Sequence, residues 1–321
     1  MKDHTEYSGK GTAIPGALPI AAVERDTGLS KDTLRVWERR YGFPQPVRDA
    51  FDERHYPPEQ VERLRLIARL LGSGQRPGRV VPLPLAELHA MLQEAAPVDA
   101  DALAKPELQA ILMLVRRHEV MTLRRTLNQA VLRLGLGHFL TELLAPLNVL
   151  VGEAWVRGEI QVFEEHMYTE SVIAVLRSAL GSTASMPRPG MPRVLLATLP
   201  QEPHVLGLLM AEIMLVLEGC ECVSLGAQTP VTEIVQAAQA NRAQIVGLSF
   251  SPSFSSQLLQ RGLQDLRSRL PAEVQLWAGG SHPMLQRRAP PGVTTVARLE
   301  AVAGLLAPWT AGHRPEKTAA D

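Results

Sequence analysis

Several groups of residues have types and spacings that could carry chemistry. Glu202-Pro203-His204 follows the apolar run Arg193–Leu199 and precedes Leu206–Leu217, an apolar stretch of helical length. A carboxylate and an imidazole thus stand where a tight connection normally carries Gly, Asn or Ser. Open parallel sheets bind ligands outside the carboxyl ends of their strands, which puts this loop at a ligand-binding edge. A lone histidine is more often a satisfied structural group, and that reading stands beside the first. A second group is Trp155, nine intervening residues and Glu165-His166. A core tryptophan with a surface Glu-His pair is its plain alternative. Cys220 and Cys222 are two residues apart at the start of a strand-like run, so both thiols face one side. Core packing explains them better than metal binding, and His282 after Gly279-Gly280 reads as a loop histidine.

The elements that must position these groups follow from pattern. The chain has 321 residues, 45% hydrophobic and 21% charged, enough for two or three domains. Lys and Arg balance Asp and Glu, so no global field draws the chain to nucleic acid or membrane, and any such contact must be local. No run of about 18 consecutive apolar residues occurs, so no membrane-spanning segment is expected. The polar N-terminus lacks a signal-peptide core, and a reducing cytoplasm is the expected compartment. Residues 1–17 and 312–321 read as flexible tails. Residues 18–80 are dense in Arg and Glu, and the Gly/Pro-rich stretch Gly72–Leu85 reads as a joint. Residues 81–185 carry apolar side chains at three- and four-residue steps, predicting a bundle of about four helices. From 190 to 311, "RVLLATL", "CECVSLG", "AQIVGLSF", "VQLWAGG" and "VTTVARL" alternate with helical stretches. That rhythm predicts an open, Rossmann-like parallel sheet of five strands.

"IAAVERDTGLSKDTLRVWERRYGF" reads as two helices joined by a tight turn, with Gly28 at the turn and Ser30 as cap. A hairpin with Arg48, Arg54 and Tyr56 follows, then a helix opened by Pro57-Pro58. Over residues 1–80, fourteen Lys and Arg face eleven Asp and Glu, a net of about +3 that alone suggests only a charged helical surface.

The order of these parts resembles the MerR family of winged-helix transcription regulators, chiefly in "TLRVWERRYGF" and "RHYPPEQVERLRLI". The resemblance implies DNA binding, with the second helix in the major groove and the hairpin as a wing. Lys31, Thr33, Arg35, Arg39, Arg48, Arg54 and Tyr56 become the candidate DNA contacts, acting mainly on phosphates. A single such module binds weakly, which predicts a homo-oligomer on operator DNA.

Glu202-x-His204-x-x-Gly207 resembles the E/D-x-H-x-x-G signature of cobalamin-binding domains. The resemblance implies that His204 is the lower axial ligand of cobalt and that Glu202 holds its other ring nitrogen. It further assigns Gly226, Thr229, Ser249, Ser251, Gly279 and Gly280 to cofactor binding. Trp-x9-Glu-His before the sheet is similar to the CarH/LitR group of B12-dependent, MerR-type photoreceptors. There the bundle caps the upper face of the corrin, and Trp155, Glu165 and His166 would line it. The implied cofactor is adenosylcobalamin. The implied cycle is a dark tetramer that represses at operator DNA, then falls to smaller species and releases DNA once light breaks the Co–C bond. His166 would then bind cobalt from above. Such a protein is a switch and not an enzyme. Other readings are a light-independent cobalamin- or partner-sensing regulator, one with an additional chromophore, and a corrinoid methyl carrier, which the DNA-binding module argues against.

Overall fold

The computed structural model describes residues 16–49, 51–72, 75–94, 105–183, 187–287 and 290–311. Both predicted tails, except Gly16 and Ala17, lie outside these residues. The chain forms two compact units, Met1–Val98 with Ala154–Val162, and Asp99–Glu153 with Phe163–Asp321.

In the first unit, β1 (Leu18–Pro19) leads into α1 (Ile20–Thr27) and α2 (Lys31–Tyr41). The turn between the helices needs a left-handed residue: Gly28 has φ 71°, and its N–H donates to the Glu24 carbonyl at 2.9 Å. Ser30 Oγ then accepts the Thr33 N–H at 3.1 Å and caps α2. Strands β2 (Val47–Arg48) and β3 (Arg54–Tyr56) close the antiparallel order β1-β3-β2, the hairpin expected as a wing. Helix α3 (Pro58–Gly72) buries Leu64, Ile67 and Leu70 with Val23, Leu34 and Trp37. The joint expected at 72–85 is built into this core instead. It contains α4 (Pro77–Val80), Val80 and Val81 are fully buried, and α5 (Leu85–Glu94) adds Leu88 to the same cluster. Its Gly and Pro residues break helical pattern locally, but its valines supply apolar surface that must be covered. The turn Ala154–Val162 belongs to this unit as well, with Val156 packed on the cluster.

Four further helices, as the periodicity predicts, are α6 (Pro106–Arg116), α7 (Val120–Leu134), α8 (Leu136–Val156) and α9 (Val162–Ser182), which lie in the second unit except for Ala154–Val156 and Val162. Helix α8 includes a π-helical stretch, Phe139–Leu144. Its 21 residues have a window of mean hydropathy 1.3, long and apolar enough to cross a membrane by length and composition. Phe139, Leu140, Leu144 and Leu147 are fully buried, so burial within the protein accounts for that apolarity.

The sheet follows as β4 (Arg193–Ala197), α10 (Leu206–Leu217), β5 (Glu221–Gly226), α11 (Val231–Ala240) and β6 (Ile245–Phe250). It continues with α12 (Ser256–Arg269), β7 (Gln275–Gly280), α13 (Pro283–Arg287), β8 (Val293–Val296) and α14 (Ala301–Ala311). The strands are parallel in the order β5-β4-β6-β7-β8. Alternation divides the side chains between two faces. Leu195 and Ala197 pack with Ile234 of α11 and Leu259 and Leu263 of α12; Val194 and Leu196 pack with Leu208 of α10 and Leu306 of α14. The order reverses between β4 and β6, and the helices that follow them, α10 and α12, pack on opposite faces; an open sheet has its ligand crevice at the carboxyl edge of such a switch point. Leu195 is fully buried on the central strand β4. Leu195→Ala is expected to destabilise the sheet unit by about 2–5 kcal/mol, read as an earlier chemical-denaturation transition. An unchanged midpoint would show that this strand is not part of the core.

Candidate functional site

The crevice is spanned by one carboxylate. Glu202, after β4, is fully buried, and Oε2 accepts both the Ser251 N–H (2.7 Å) and the Ser251 hydroxyl (2.8 Å) from the loop after β6. Its Oε1 accepts the His204 backbone N–H (3.2 Å) and lies 2.6 Å from His204 Nδ1. A carboxylate so supplied makes Nδ1 the protonated nitrogen of the neutral ring, whose Nε2 then has a free lone pair. The His204 side chain is 61% exposed while its partner is 0% exposed. Burial alone would raise the Glu202 pKa, but the bonds from His204 and Ser251 hold it below the usual carboxylate range. The same bond from Glu202 raises the His204 pKa against the opposing effect of burial. The loop therefore presents a largely exposed imidazole at the sheet edge, with Nδ1 fixed by Glu202.

Glu165 and His166, near the start of α9, repeat this chemistry. His166 Nδ1 is 2.7 Å from Glu165 Oε2, and Glu165 Oε1 accepts the Thr169 hydroxyl at 2.7 Å. Burial opposes ionisation of Glu165, yet His166 and Thr169 hold its carboxyl below the usual range, with a further contribution from the charge of His204. The Glu165 bond raises the His166 pKa, and His204 in turn feels both residues. The two Glu-His pairs are thus within electrostatic reach of each other across bundle and sheet. A polar chain joins the same elements: Tyr168 donates to Asn148 Oδ1 at 2.6 Å, and Asn148 Nδ2 points at Met210 Sδ at 3.4 Å. Trp155 is described with the first unit, where its carbonyl accepts the Gly158 N–H at 3.0 Å. A Cβ on Gly158 would come within 2.8 Å of the guanidinium of buried Arg69.

The remaining predicted residues border the strand ends. A Cβ on Gly207 would lie 2.8 Å from the hydroxyl of buried Ser249, so helix α10 starts hard against β6. Gly280 has φ 103°, and a Cβ there would overlap the Phe250 carbonyl, which only glycine avoids. Gly279 pairs with Ser249 and with Val296 on either side in the sheet. Gly226 ends β5, and Thr229 donates its N–H to the Thr198 carbonyl at 2.9 Å. Thr198 is a site residue that the sequence does not reveal. It is fully buried and touches both loops, yet in "LLATLPQ" it reads as one more strand residue. His282 is 2% exposed: its Nδ1 accepts the Met284 N–H at 3.1 Å, so Nε2 carries the proton and donates to the Phe254 carbonyl at 3.0 Å. It caps α13. The cysteines pack in the core with Val194 and Leu215, and burial pushes the Cys220 thiol up to about 12. Among the described residues, no three His, Cys, Asp or Glu side chains group as a metal site.

In the first unit the predicted DNA contacts separate. Leu34 and Trp37 point inward from α2, and Lys31, Arg35 and Arg39 lie on its outer side. Lys31 pairs with Glu24 at 3.5 Å, Arg35 with Asp32 at 3.2 Å, and Arg48 in the wing with Asp52 at 2.6 Å. Arg39 Nε donates to the Arg35 carbonyl at 3.4 Å. Arg54 is held at 2.9 Å by Glu38 and ties wing to helix. Thr33 is engaged with the Ser30 cap, its hydroxyl 2.8 Å from Ser30 Oγ. Tyr56 is a correction: it is fully buried, burial raises its phenol pKa, and its side chain fills the core between wing and helices rather than facing a partner.

His282 yields a pH prediction. Burial lowers its pKa, so its neutral form is favoured in the fold. The stability this provides is complete above the ordinary histidine value of about 6.5 and declines as pH falls below it towards the lowered one. An NMR titration should place its midpoint below that ordinary value. A midpoint at or above it would remove the buried, neutral cap.

Family models match three parts of the chain. Residues 18–81 match the MerR HTH family regulatory proteins, and residues 107–179 and 192–306 each match a B12 binding domain family. The chain is 30% identical over 259 residues to the HTH-type transcriptional repressor CarH of Myxococcus xanthus, covering 79% of this chain and 85% of that one. It is 31% identical over 271 residues to the repressor CarA of the same organism, covering 84% and 89%. A monomethylamine corrinoid protein of Methanosarcina barkeri aligns with TM-score 0.48 at 16% identity, covering 61% of this chain and 94% of that one. The chain belongs to the CarH-type family of B12-binding MerR regulators.

Proposed function

We propose that the protein is a light-responsive transcriptional repressor that binds adenosylcobalamin through His204 and operator DNA through its winged helix. The observation that carries the reading is the Glu202-held imidazole at the switch-point crevice, within electrostatic reach of a second Glu-His pair on α9. The residues present suit a flat, cobalt-centred macrocycle. One nitrogen with a free lone pair projects from a loop whose carboxylate cannot shift, and Gly207 and Gly280 keep neighbouring backbone close. Adenosylcobalamin, when bound, supplies a carbon–cobalt bond that green or blue light breaks.

The chain's own residues then have separate tasks. Glu202 holds the Nδ1 proton, and His204 Nε2 would hold the cobalt. Glu165 and His166 would hold the cofactor from the bundle, and His166 Nε2 would be the nitrogen available to cobalt after illumination. In the winged helix, Lys31, Arg35, Arg39 and Arg48 serve the phosphates, because exposed ion pairs such as Arg35–Asp32 are worth only about 0–1 kcal/mol and exchange readily. Arg54 and Thr33 support the element from within. Assembly into a dark tetramer multiplies a weak single contact, and its loss to smaller species on illumination would release DNA. The site of action is the DNA-containing cytoplasm.

Size-exclusion chromatography and DNA-shift assays of adenosylcobalamin-loaded protein, in darkness and after green light, test the reading. A larger, DNA-binding dark species and a smaller, weakly binding illuminated one are expected. Failure to retain cobalamin would sink it, and DNA binding indifferent to light would leave a light-independent cobalamin sensor. His204→Ala should abolish dark assembly. His166→Ala should spare dark DNA binding and alter the absorption spectrum after illumination; an identical spectrum would remove His166 from cobalt. Arg39→Ala should weaken binding to duplex DNA whatever its sequence and lower the salt slope by about 1. An unchanged slope would take Arg39 off the phosphates.

A further inference from the structure

Thr198, the first residue after β4, joins two loops that the strand order alone would leave independent. The sheet register slips between Leu196 and Ala197, where β5 bulges, and ordinary β4–β5 pairing ends at Gly226. Beyond that point the connection passes through Thr198. Its N–H donates to the Gly226 carbonyl at 3.0 Å, and its carbonyl accepts the Thr229 N–H at 2.9 Å. Its hydroxyl donates to the Glu202 carbonyl at 2.5 Å and accepts the Gln228 N–H at 2.9 Å. The side chain is fully buried, so water does not compete for these bonds.

Each loop also contains a residue whose backbone needs support. Gln201 has φ 71° and Gln228 has φ 56°, left-handed conformations that cost a non-glycine residue free energy. Gln201 directly precedes the Glu202 carbonyl that Thr198 holds, and the Gln228 amide is itself held. The same hydroxyl therefore steadies both strained turns.

We propose that Thr198 is a positioning residue for the cofactor. Its hydroxyl locks the His204 loop to the Gly226–Thr229 loop, so that the two form one rigid rim at the carboxyl edge. The cofactor part of this proposal rests on the cobalamin reading above. Valine has the same shape but neither donor nor acceptor, which leaves a buried carbonyl and an amide unpaired; serine keeps both functions.

The test compares full-length Thr198→Val and Thr198→Ser with the wild type. In cofactor-free protein, hydrogen exchange at the Gln228 and Thr229 amides should accelerate at least about tenfold in Thr198→Val and stay near wild type in Thr198→Ser. Adenosylcobalamin affinity by equilibrium dialysis should fall about 10–100-fold in Thr198→Val, the usual range for a residue supporting a metal ligand, with Thr198→Ser largely restoring it. Wild-type exchange and affinity in Thr198→Val would overturn the proposal, as would equal losses in Thr198→Ser. If Thr198→Val fails to fold, the wild type still decides the clamp: unprotected Gln228 and Thr229 amides overturn it. A wild type that binds no cobalamin overturns the cofactor part together with the proposed function, while the exchange measurement reads the clamp separately.

Discussion

A buried carboxylate is the constraint on which the sheet edge depends. An ionised group without water must find donors for its lone pairs, or the fold bears the full desolvation cost. Glu202 finds them in Ser251 on one side and His204 on the other. The arrangement is possible only because β4 and β6 are neighbours, so that the loops after both strands meet. Strand order, carboxylate burial and the free lone pair of His204 are thus one problem with one solution. Removing any member would leave a charge or a donor stranded inside.

The α9 pair is built on the same logic but with less burial, since the Glu165 side chain is 33% exposed where that of Glu202 is 0% exposed. Glu165 is anchored from its own helix by Thr169, one turn further along. A carboxylate held within a helix depends on the placement of that helix, whereas Glu202 is braced across the sheet. Glu165 and His166 are also coupled electrostatically to His204.

The winged helix shows a different economy of charge. Each of Lys31, Arg35, Arg48 and Arg54 has an acidic partner at close range, which explains how a module with a small net charge keeps a cationic outer side without self-repulsion. Exposed pairs are weakly held and leave their cations available. The more buried Arg54–Glu38 pair acts as a brace between the hairpin and α2.

Much of this was legible from local pattern. The two-residue and three-to-four-residue periodicities placed the five strands, helix α10 and the bundle, because burial selects those spacings directly. Gly28 and Ser30 marked the helix-turn-helix because left-handed turns and helix caps have strong residue preferences. Glu202 and His204 stood out as polar residues in a position that local structure does not require. What pattern misjudged depends on partners distant in sequence. The joint at 72–85 reads as a linker until Val80 and Val81 are seen to share a core with Leu64 and Val23. Tyr56 reads as an exposed wing residue until the antiparallel pairing with Leu18 turns it inward. Thr198 had no signal at all, for its role exists only where two loops meet. The sequence by itself determined which residues are available for ligation, capping and burial, since those follow from side-chain chemistry and short-range spacing. Tertiary structure alone decided that Ser251 completes the Glu202 site and that Thr198 joins its rim, because hydrogen bonds between loops 30 and 49 residues apart depend on strand order.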